Sequence, residues 1–372
     1  MRIPRHAGLL ALIGMISASA ASFEADSKRG AEIFREQKCT MCHSVAGGGG
    51  GTAAPDLARR LDRNYTPAGI ASLMWNHAPT MFSAIREHGM QMPRLTESQA
   101  ADLFAFFYSA HYFEKPGEAQ RGKALFASKG CAGCHALTAD AKSVGPPVSE
   151  WDALSAPIIL IQRMWQHAGK MEQEMEARHM AWPQLTSQDM TDMLVYLQNL
   201  PQTRHQEHFL ILPSPEGGEA LLREKGCLNC HTNERAFSNL IGDSTLTDVA
   251  AAMWDHAPLM MKNGSLPGPI SVEEMRTIIS YIWAQQFFAP KGDAAKGQKV
   301  FESQKCAACH GSASGGAPQL TRATGPFSAV RMVSVIWMHG PTMQQQMAQK
   351  HMSWPKLSAA EMSNLIAFLN SR

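Results

Sequence analysis

The stretch Cys39-Thr40-Met41-Cys42-His43 decides the fold of this chain, because its CxxCH pattern occurs four times along the 372 residues. The four copies contain every cysteine of the sequence: Cys39, Cys42, Cys131, Cys134, Cys227, Cys230, Cys306 and Cys309. A histidine follows the second cysteine of each copy: His43, His135, His231 and His310. No cysteine is left over for another role, so the four copies must share one kind of chemistry.

CxxCH is the signature of covalent haem attachment. Cysteines three positions apart lie on one face of a helical turn, so both thiols can reach the two vinyl groups on one edge of a porphyrin. The adjacent histidine can then bind the iron as the proximal ligand. A disulfide framework or a set of zinc sites would give no reason for a histidine after every second cysteine. The sequence therefore predicts four covalently attached haem c groups with their iron.

The repetition extends beyond the cysteines. A glycine stands nine residues before the first cysteine of every copy, and an apolar residue follows it four positions later, which predicts a helix that packs against the haem unit. These residues are Gly30, Gly122, Gly218 and Gly297, followed by Phe34, Phe126, Leu222 and Phe301. Each copy ends with a helix-capping pattern in which Thr96, Thr186, Ser271 and Ser358 precede Gln99, Asp189, Glu274 and Glu361 by three residues.

The predicted fold class is all-α, because runs of alternating β-branched residues are absent between the turn-rich stretches. We expect four tandem helical units, each wrapped round one haem. They are called repeats 1 to 4 below and are predicted to cover residues 26–113, 117–202, 214–288 and 293–372. The linker at 201–218 is the longest, which favours an arrangement of two pairs.

These motifs resemble class I cytochrome c domains joined in tandem. The resemblance rests on the glycine helix, CxxCH, a following proline with an apolar residue (Pro55 and Leu57, Pro318 and Leu320) and the capped last helix. It implies a small all-α bundle round each haem, a role in electron transfer and a distal ligand that is usually methionine.

The resemblance also implies that the proline after the motif orients the proximal histidine through its carbonyl group. Pro146 fits that place in repeat 2, whereas repeat 3 has Ser238, Asn239 and Leu240 there. Repeat 3 is therefore expected to depart from the family pattern at this point.

A second motif, WxHxxxM, occurs once in each repeat and supplies candidates for the distal ligand. Its histidine and methionine lie on one helical face. The first choice is the methionine set Met81, Met171, Met260 and Met343, because it recurs in all four repeats and agrees with the resemblance. One alternative is the histidine set His77, His167, His256 and His339, which would give bis-histidine haems of lower potential. Another is Met90, Met180 and Met352, which has no counterpart in repeat 3.

The first twenty residues are typical of an export signal. Arg2 and Arg5 precede an apolar run at 9–16, and small residues follow at 18–20. We therefore expect a signal peptide at 1–20, a periplasmic or extracellular protein, and no transmembrane segment in the mature chain. The formal net charge is +2 and there is no basic run, so nucleic acid is not an expected partner.

The expected function is electron transfer between redox proteins that act as donor and acceptor, with docking to a membrane complex left open. The chain is expected to be a carrier and not an enzyme. One alternative is a multihaem reductase or peroxidase with an open haem at Cys227 and Cys230 of repeat 3. Another is a subunit of an extracellular conductive filament.

Overall fold

The computed structural model describes residues 25–45, 50–51, 53–57, 66–114, 117–206, 210–240, 244, 246–262, 268–288, 292–311, 316–321 and 325–372. The predicted signal peptide at 1–20 lies outside these residues. Helices dominate the described chain, which confirms the all-α class. Every helix among the described residues is too short or too polar to span a bilayer.

Each repeat begins with a helix before CxxCH and ends with two longer helices. Repeat 1 contains α1 (Ser27–Glu36), α2 (Pro67–Glu87) and α3 (Glu97–Glu114), and repeat 2 contains α4 (Ala119–Ser128), α5 (Pro157–Ala177) and α6 (Ser187–Gln198). Repeat 3 contains α7 (Gly218–Glu224), α8 (Phe237–Leu240), α9 (Leu246–Lys262) and α10 (Val272–Phe288). Repeat 4 contains α11 (Ala294–Ser303), α12 (Ala307–His310), α13 (Ala329–Gln349) and α14 (Ala359–Ser371).

The first and last helices of each repeat cross at the recurring glycine. A Cβ atom on Gly30 would stand 2.0 Å from the carbonyl oxygen of Asp102 in α3, and one on Gly122 would stand 2.0 Å from that of Asp192 in α6. In repeat 3, a Cβ on Gly218 would stand 2.3 Å from the Cβ of Tyr281. Glycine recurs here because the two helices touch backbone to backbone or nearly so, and no side chain fits between them.

The predicted helix caps are confirmed in all four repeats. The hydroxyl groups of Thr186 and Ser358 accept hydrogen bonds from the third residue of their helices, whose carboxylates accept in return from the cap N–H. Thr96 with Gln99 and Ser271 with Glu274 form the same reciprocal pair. Each box satisfies two of the N–H groups that a helix start leaves without intrahelical partners.

Two short strands depart from the expectation that no strand would form. Strand β1 (Ala25–Asp26) pairs antiparallel with β2 (Ile211–Leu212), so the start of repeat 1 is tied to the linker before repeat 3. Strands of two residues are too short to show an alternating pattern in the sequence.

The repeats associate in two pairs, repeat 1 with repeat 4 and repeat 2 with repeat 3. In the first pair α2 packs against α13 and α14, and in the second α5 packs against α9. The Ser72 hydroxyl donates to the carbonyl of Leu357 at 2.6 Å, and the Ser334 hydroxyl donates to that of Leu95 at 2.7 Å. Ser72 and Ser334 occupy the same position in their repeats, so each repeat donates the same hydrogen bond to the other. One pair is therefore nested within the other along the chain.

Prolines inside helices help to hold the pairs together. Pro79 in α2 and Pro258 in α9 carry no N–H, so the carbonyl four residues earlier loses its helical donor. These carbonyls belong to Trp75 and Trp254. Each of them accepts a hydrogen bond from an indole N–H of the paired repeat: Trp354 donates to Trp75 at 3.0 Å, and Trp182 donates to Trp254 at 3.2 Å.

The helix tryptophans return the hydrogen bond. Trp75 donates to the carbonyl of Pro355 at 2.9 Å and Trp254 donates to that of Pro183 at 2.8 Å. The indole rings of Trp182 and Trp254 also stack, with centroids 4.4 Å apart. We call each such set, Trp75 with Trp354 and Trp182 with Trp254, a tryptophan interlock. The first interlock links a loop of repeat 4 to a helix of repeat 1. The second links a loop of repeat 2 to a helix of repeat 3.

The interlock between repeats 1 and 4 is one-sided. Repeat 1 has Met92 at the position that Trp354 occupies in repeat 4. Trp337 of α13 occupies the position that Trp75 has in α2. Its buried indole N–H has no hydrogen-bond partner within the described part of the chain. A methionine fills the space but cannot exchange hydrogen bonds as tryptophan does.

Candidate haem site

Each CxxCH motif forms a tight turn after the first helix of its repeat. The residue before the first cysteine has a left-handed backbone in every repeat, with φ 60° at Lys38, 85° at Gly130, 76° at Gly226 and 61° at Lys305. The N–H of each motif histidine donates to the carbonyl of the first cysteine at 2.9–3.0 Å. This shared geometry reverses the chain and holds both cysteines and the histidine in one compact turn.

None of the eight cysteines, all of which the structure describes, forms a disulfide. Burial raises the pKa of Cys39 and Cys306 to about 11 and also raises the pKa of Cys131 and Cys227. The first sulfur of every motif therefore lies in surroundings that disfavour a thiolate. An uncharged thioether to a porphyrin carbon suits such surroundings.

Backbone carbonyls orient the motif histidines. The Nδ1 atom of His135 lies 2.9 Å from the carbonyl oxygen of Pro146, and that of His310 lies 2.8 Å from the oxygen of Pro318. His43 makes the same contact with Pro55 at 3.2 Å. Because a carbonyl only accepts, Nδ1 carries the hydrogen and Nε2 is the nitrogen that could bind a metal ion.

Repeat 3 achieves the same result with a different carbonyl. The Nδ1 atom of His231 donates to the carbonyl of Arg235 at 3.2 Å, and the ring of Phe237 stacks on the imidazole with centroids 4.3 Å apart. Ser238, Asn239 and Leu240 lie in α8 just beyond. Sequence reasoning missed Arg235, because a main-chain carbonyl leaves no signature in the side chains.

The WxHxxxM histidine of each repeat faces the CxxCH histidine of the same repeat. The ring centroids are 6.2 Å apart for His43 with His77 and 5.9 Å for His135 with His167. They are 6.2 Å apart for His231 with His256 and 6.0 Å for His310 with His339. Burial lowers the pKa of His167 and His339, and the facing histidine lowers it further, so the neutral imidazole is favoured at both positions.

The methionine candidates lie in other surroundings. Met81, Met171 and Met343 are partly buried and pack against the hydrophobic core, and Met260 is half-buried. The terminal methyl group of Met180 lies against Gly130, beside the turn that precedes Cys131. The assignment of Met81, Met171, Met260 and Met343 as distal ligands stays a prediction.

The donor set of each repeat, two thiols and an oriented imidazole in one turn, fits the attachment of one haem c. The family model for cytochrome c matches residues 27–110, 119–201 and 294–372, which correspond to repeats 1, 2 and 4. Neither the curated proteins nor the solved structures gave a match. Since the family model covers more than half of the sequence, the chain belongs to the cytochrome c family, whose domains bind haem covalently and transfer electrons.

Proposed function

We propose that this protein is an exported electron carrier with four haem c groups, one in each repeat. The observation that carries the proposal is the geometry of repeat 3, which the family model does not match. Its His231 N–H donates to Cys227 at 3.0 Å, as in the other repeats, and its Nδ1 is held by a carbonyl. The proposal includes the predicted boundaries of the four repeats, a periplasmic or extracellular location, and redox proteins as donor and acceptor.

When bound, the haem iron supplies reversible one-electron chemistry. The protein residues hold and orient the iron ligands. In repeat 2 the carbonyl of Pro146 accepts from His135 and also, at 3.1 Å, from the indole N–H of Trp151. The ring of Trp151 lies 5.2 Å from that of His135 in an edge-to-face contact, so this tryptophan packs against the imidazole and also donates to the carbonyl that orients it. Such outer contacts keep the ligand geometry constant while the iron changes oxidation state.

A carrier role is favoured over an enzyme with an open haem. An enzyme of the reductase or peroxidase type needs one iron position open to its substrate, and repeat 3 was the candidate. Repeat 3 nevertheless places His256 opposite His231 at the same separation as in the other repeats. A second imidazole at this place supports a site occupied on both sides in every repeat.

The pairing of the repeats suggests which haems exchange electrons fastest. In α2 the imidazole of His77 faces its own CxxCH histidine, whereas the next residue, Ala78, is buried. Phe82, one turn further on, packs on Gly340 of α13. The helices that carry the facing histidines of a pair, such as α2 and α13, are therefore in direct contact, with axes about 8–10 Å apart. We expect electron exchange to be fastest within the pairs formed by repeats 1 and 4 and by repeats 2 and 3.

Intact-mass measurement of the purified protein under denaturing conditions tests the number of haems. We expect the mass of the processed polypeptide plus four haem groups, because thioether bonds survive denaturation. The double variant Cys227→Ala/Cys230→Ala should carry three, and the matched variant Cys131→Ala/Cys134→Ala should also carry three. A parent protein with three haems whose number does not change in the Cys227/Cys230 variant would contradict the proposal for repeat 3.

A further inference from the structure

The distal ligand is the part of the haem site that the family match leaves unassigned. Four imidazole pairs stand at nearly one separation, between 5.9 and 6.2 Å, although the residue before the helix histidine differs in each repeat. That residue is Asn76, Gln166, Asp255 or Met338. Local side-chain identity therefore does not set the separation.

The separation matches that of two imidazoles bound to one iron from opposite sides. Imidazole nitrogens bind first-row metal ions at about 2.0–2.1 Å, so two rings in line with one ion have centroids about 6 Å apart. The CxxCH ring is held for such binding, because its Nδ1 is occupied by a carbonyl in every repeat. Its remaining nitrogen is thus the one available to a metal.

Four of the methionine candidates have another explanation. Met81, Met171 and Met343 fill space against the hydrophobic core, which is the usual role of methionine in a helix. Met180 packs on the turn before Cys131. The set of Met90, Met180 and Met352 also lacks a member in repeat 3, and the shortened loop there, at 263–267, lies outside the described residues.

We infer that His77, His167, His256 and His339 are the distal iron ligands. Each faces the CxxCH histidine of its own repeat at the ring separation expected of two imidazoles bound to one iron. This inference rests on the proposed haem binding in all four repeats. It replaces the methionine assignment with bis-histidine ligation in all four haems. Bis-histidine ligation gives lower reduction potentials than methionine–histidine ligation, so all four haems should belong to the low-potential class.

Near-infrared magnetic circular dichroism of the oxidised holoprotein tests the inference directly, since the charge-transfer bands of bis-histidine and methionine–histidine iron differ. We expect only the bis-histidine band. A methionine–iron band from any of the four haems would overturn the uniform assignment. The haems of the same sample are first counted by intact mass. Four haems with methionine bands would refute this inference alone, whereas fewer than four haems would refute the proposed haem number.

Two variants of repeat 2 separate the rival ligands. His167→Ala should leave one iron of four with an open position, so that the reduced protein gains rapid binding of one equivalent of carbon monoxide. Met171→Leu should leave all four irons six-coordinate and gain no such binding. The reverse result, with carbon monoxide binding only in Met171→Leu, would show that methionine is the ligand. The dichroism of the unmodified protein decides the question even where a variant fails to mature.

Discussion

Replacement of Trp182 by alanine is expected to loosen the contact between repeats 2 and 3 by about 3 kcal/mol, the lower end of the cost of truncating a buried tryptophan, because Trp182 is half-buried. The variant removes the ring that stacks on Trp254 at 4.4 Å. It also removes the N–H that donates to the carbonyl freed by Pro258. Hydrogen exchange of the holoprotein, read by mass spectrometry, should show faster exchange in α9.

The variant Trp182→Phe is the matched control. It keeps an aromatic ring at the interface and loses chiefly the hydrogen bond, so the cost should fall to about 1 kcal/mol. Helices α2 and α13 provide an internal control, because repeats 1 and 4 have an interlock of their own. Equal exchange of α9 in the alanine variant and in the unmodified protein would show that the interlock does not stabilise the pair.

The second large effect is expected from Gly122→Ala, which should lower the free energy of unfolding by about 3 kcal/mol through overpacking. The new methyl group would stand 2.0 Å from the main-chain oxygen of Asp192, and main chain cannot rotate away as a side chain can. Any shift of α6 would also disturb the buried Asp192 carboxylate, which accepts from the Glu118 N–H at 2.8 Å and pairs with Arg121.

Gly268→Ala serves as the comparison for Gly122→Ala. No atom of the residues that the structure describes lies within 4 Å of the position where its Cβ would stand, and its backbone does not adopt a left-handed conformation. Denaturant unfolding of the two holoproteins should give a clearly lower midpoint for Gly122→Ala and an almost unchanged one for Gly268→Ala. Identical midpoints would mean that the helix crossing can spread at little cost, and that the glycine recurs for some other reason.

Much of each repeat could be predicted from the sequence, because the relevant signals are local. The serine and threonine caps follow from residues three apart, and the CxxCH turn follows from five consecutive residues. The recurring glycines predicted a helix before each motif, but its crossing with the last helix of the repeat, which requires the glycine, became visible only in the structure. For the distal ligand, spacing alone left histidine and methionine open, because both lie on one face of the same helix.

Other features had no interpretable signal in the sequence. The carbonyl of Arg235 replaces a proline carbonyl in repeat 3. Every residue has a carbonyl, and the sequence does not show in which direction it points. Trp151 packs edge to face against the imidazole of His135 from a loop that the repeat pattern does not include. The loop tryptophans and helix prolines were visible, but their meaning depends on which repeats meet.

The sequence by itself determined that this protein is an all-α chain of cytochrome c repeats, since covalent attachment chemistry and helix capping are written in short stretches of neighbouring residues. Only the tertiary structure decided that repeat 1 pairs with repeat 4 and repeat 2 with repeat 3, and which imidazoles face each other. The physical reason is distance along the chain: Trp354 donates to a carbonyl 279 residues away, and such a contact depends on the packing of whole helices.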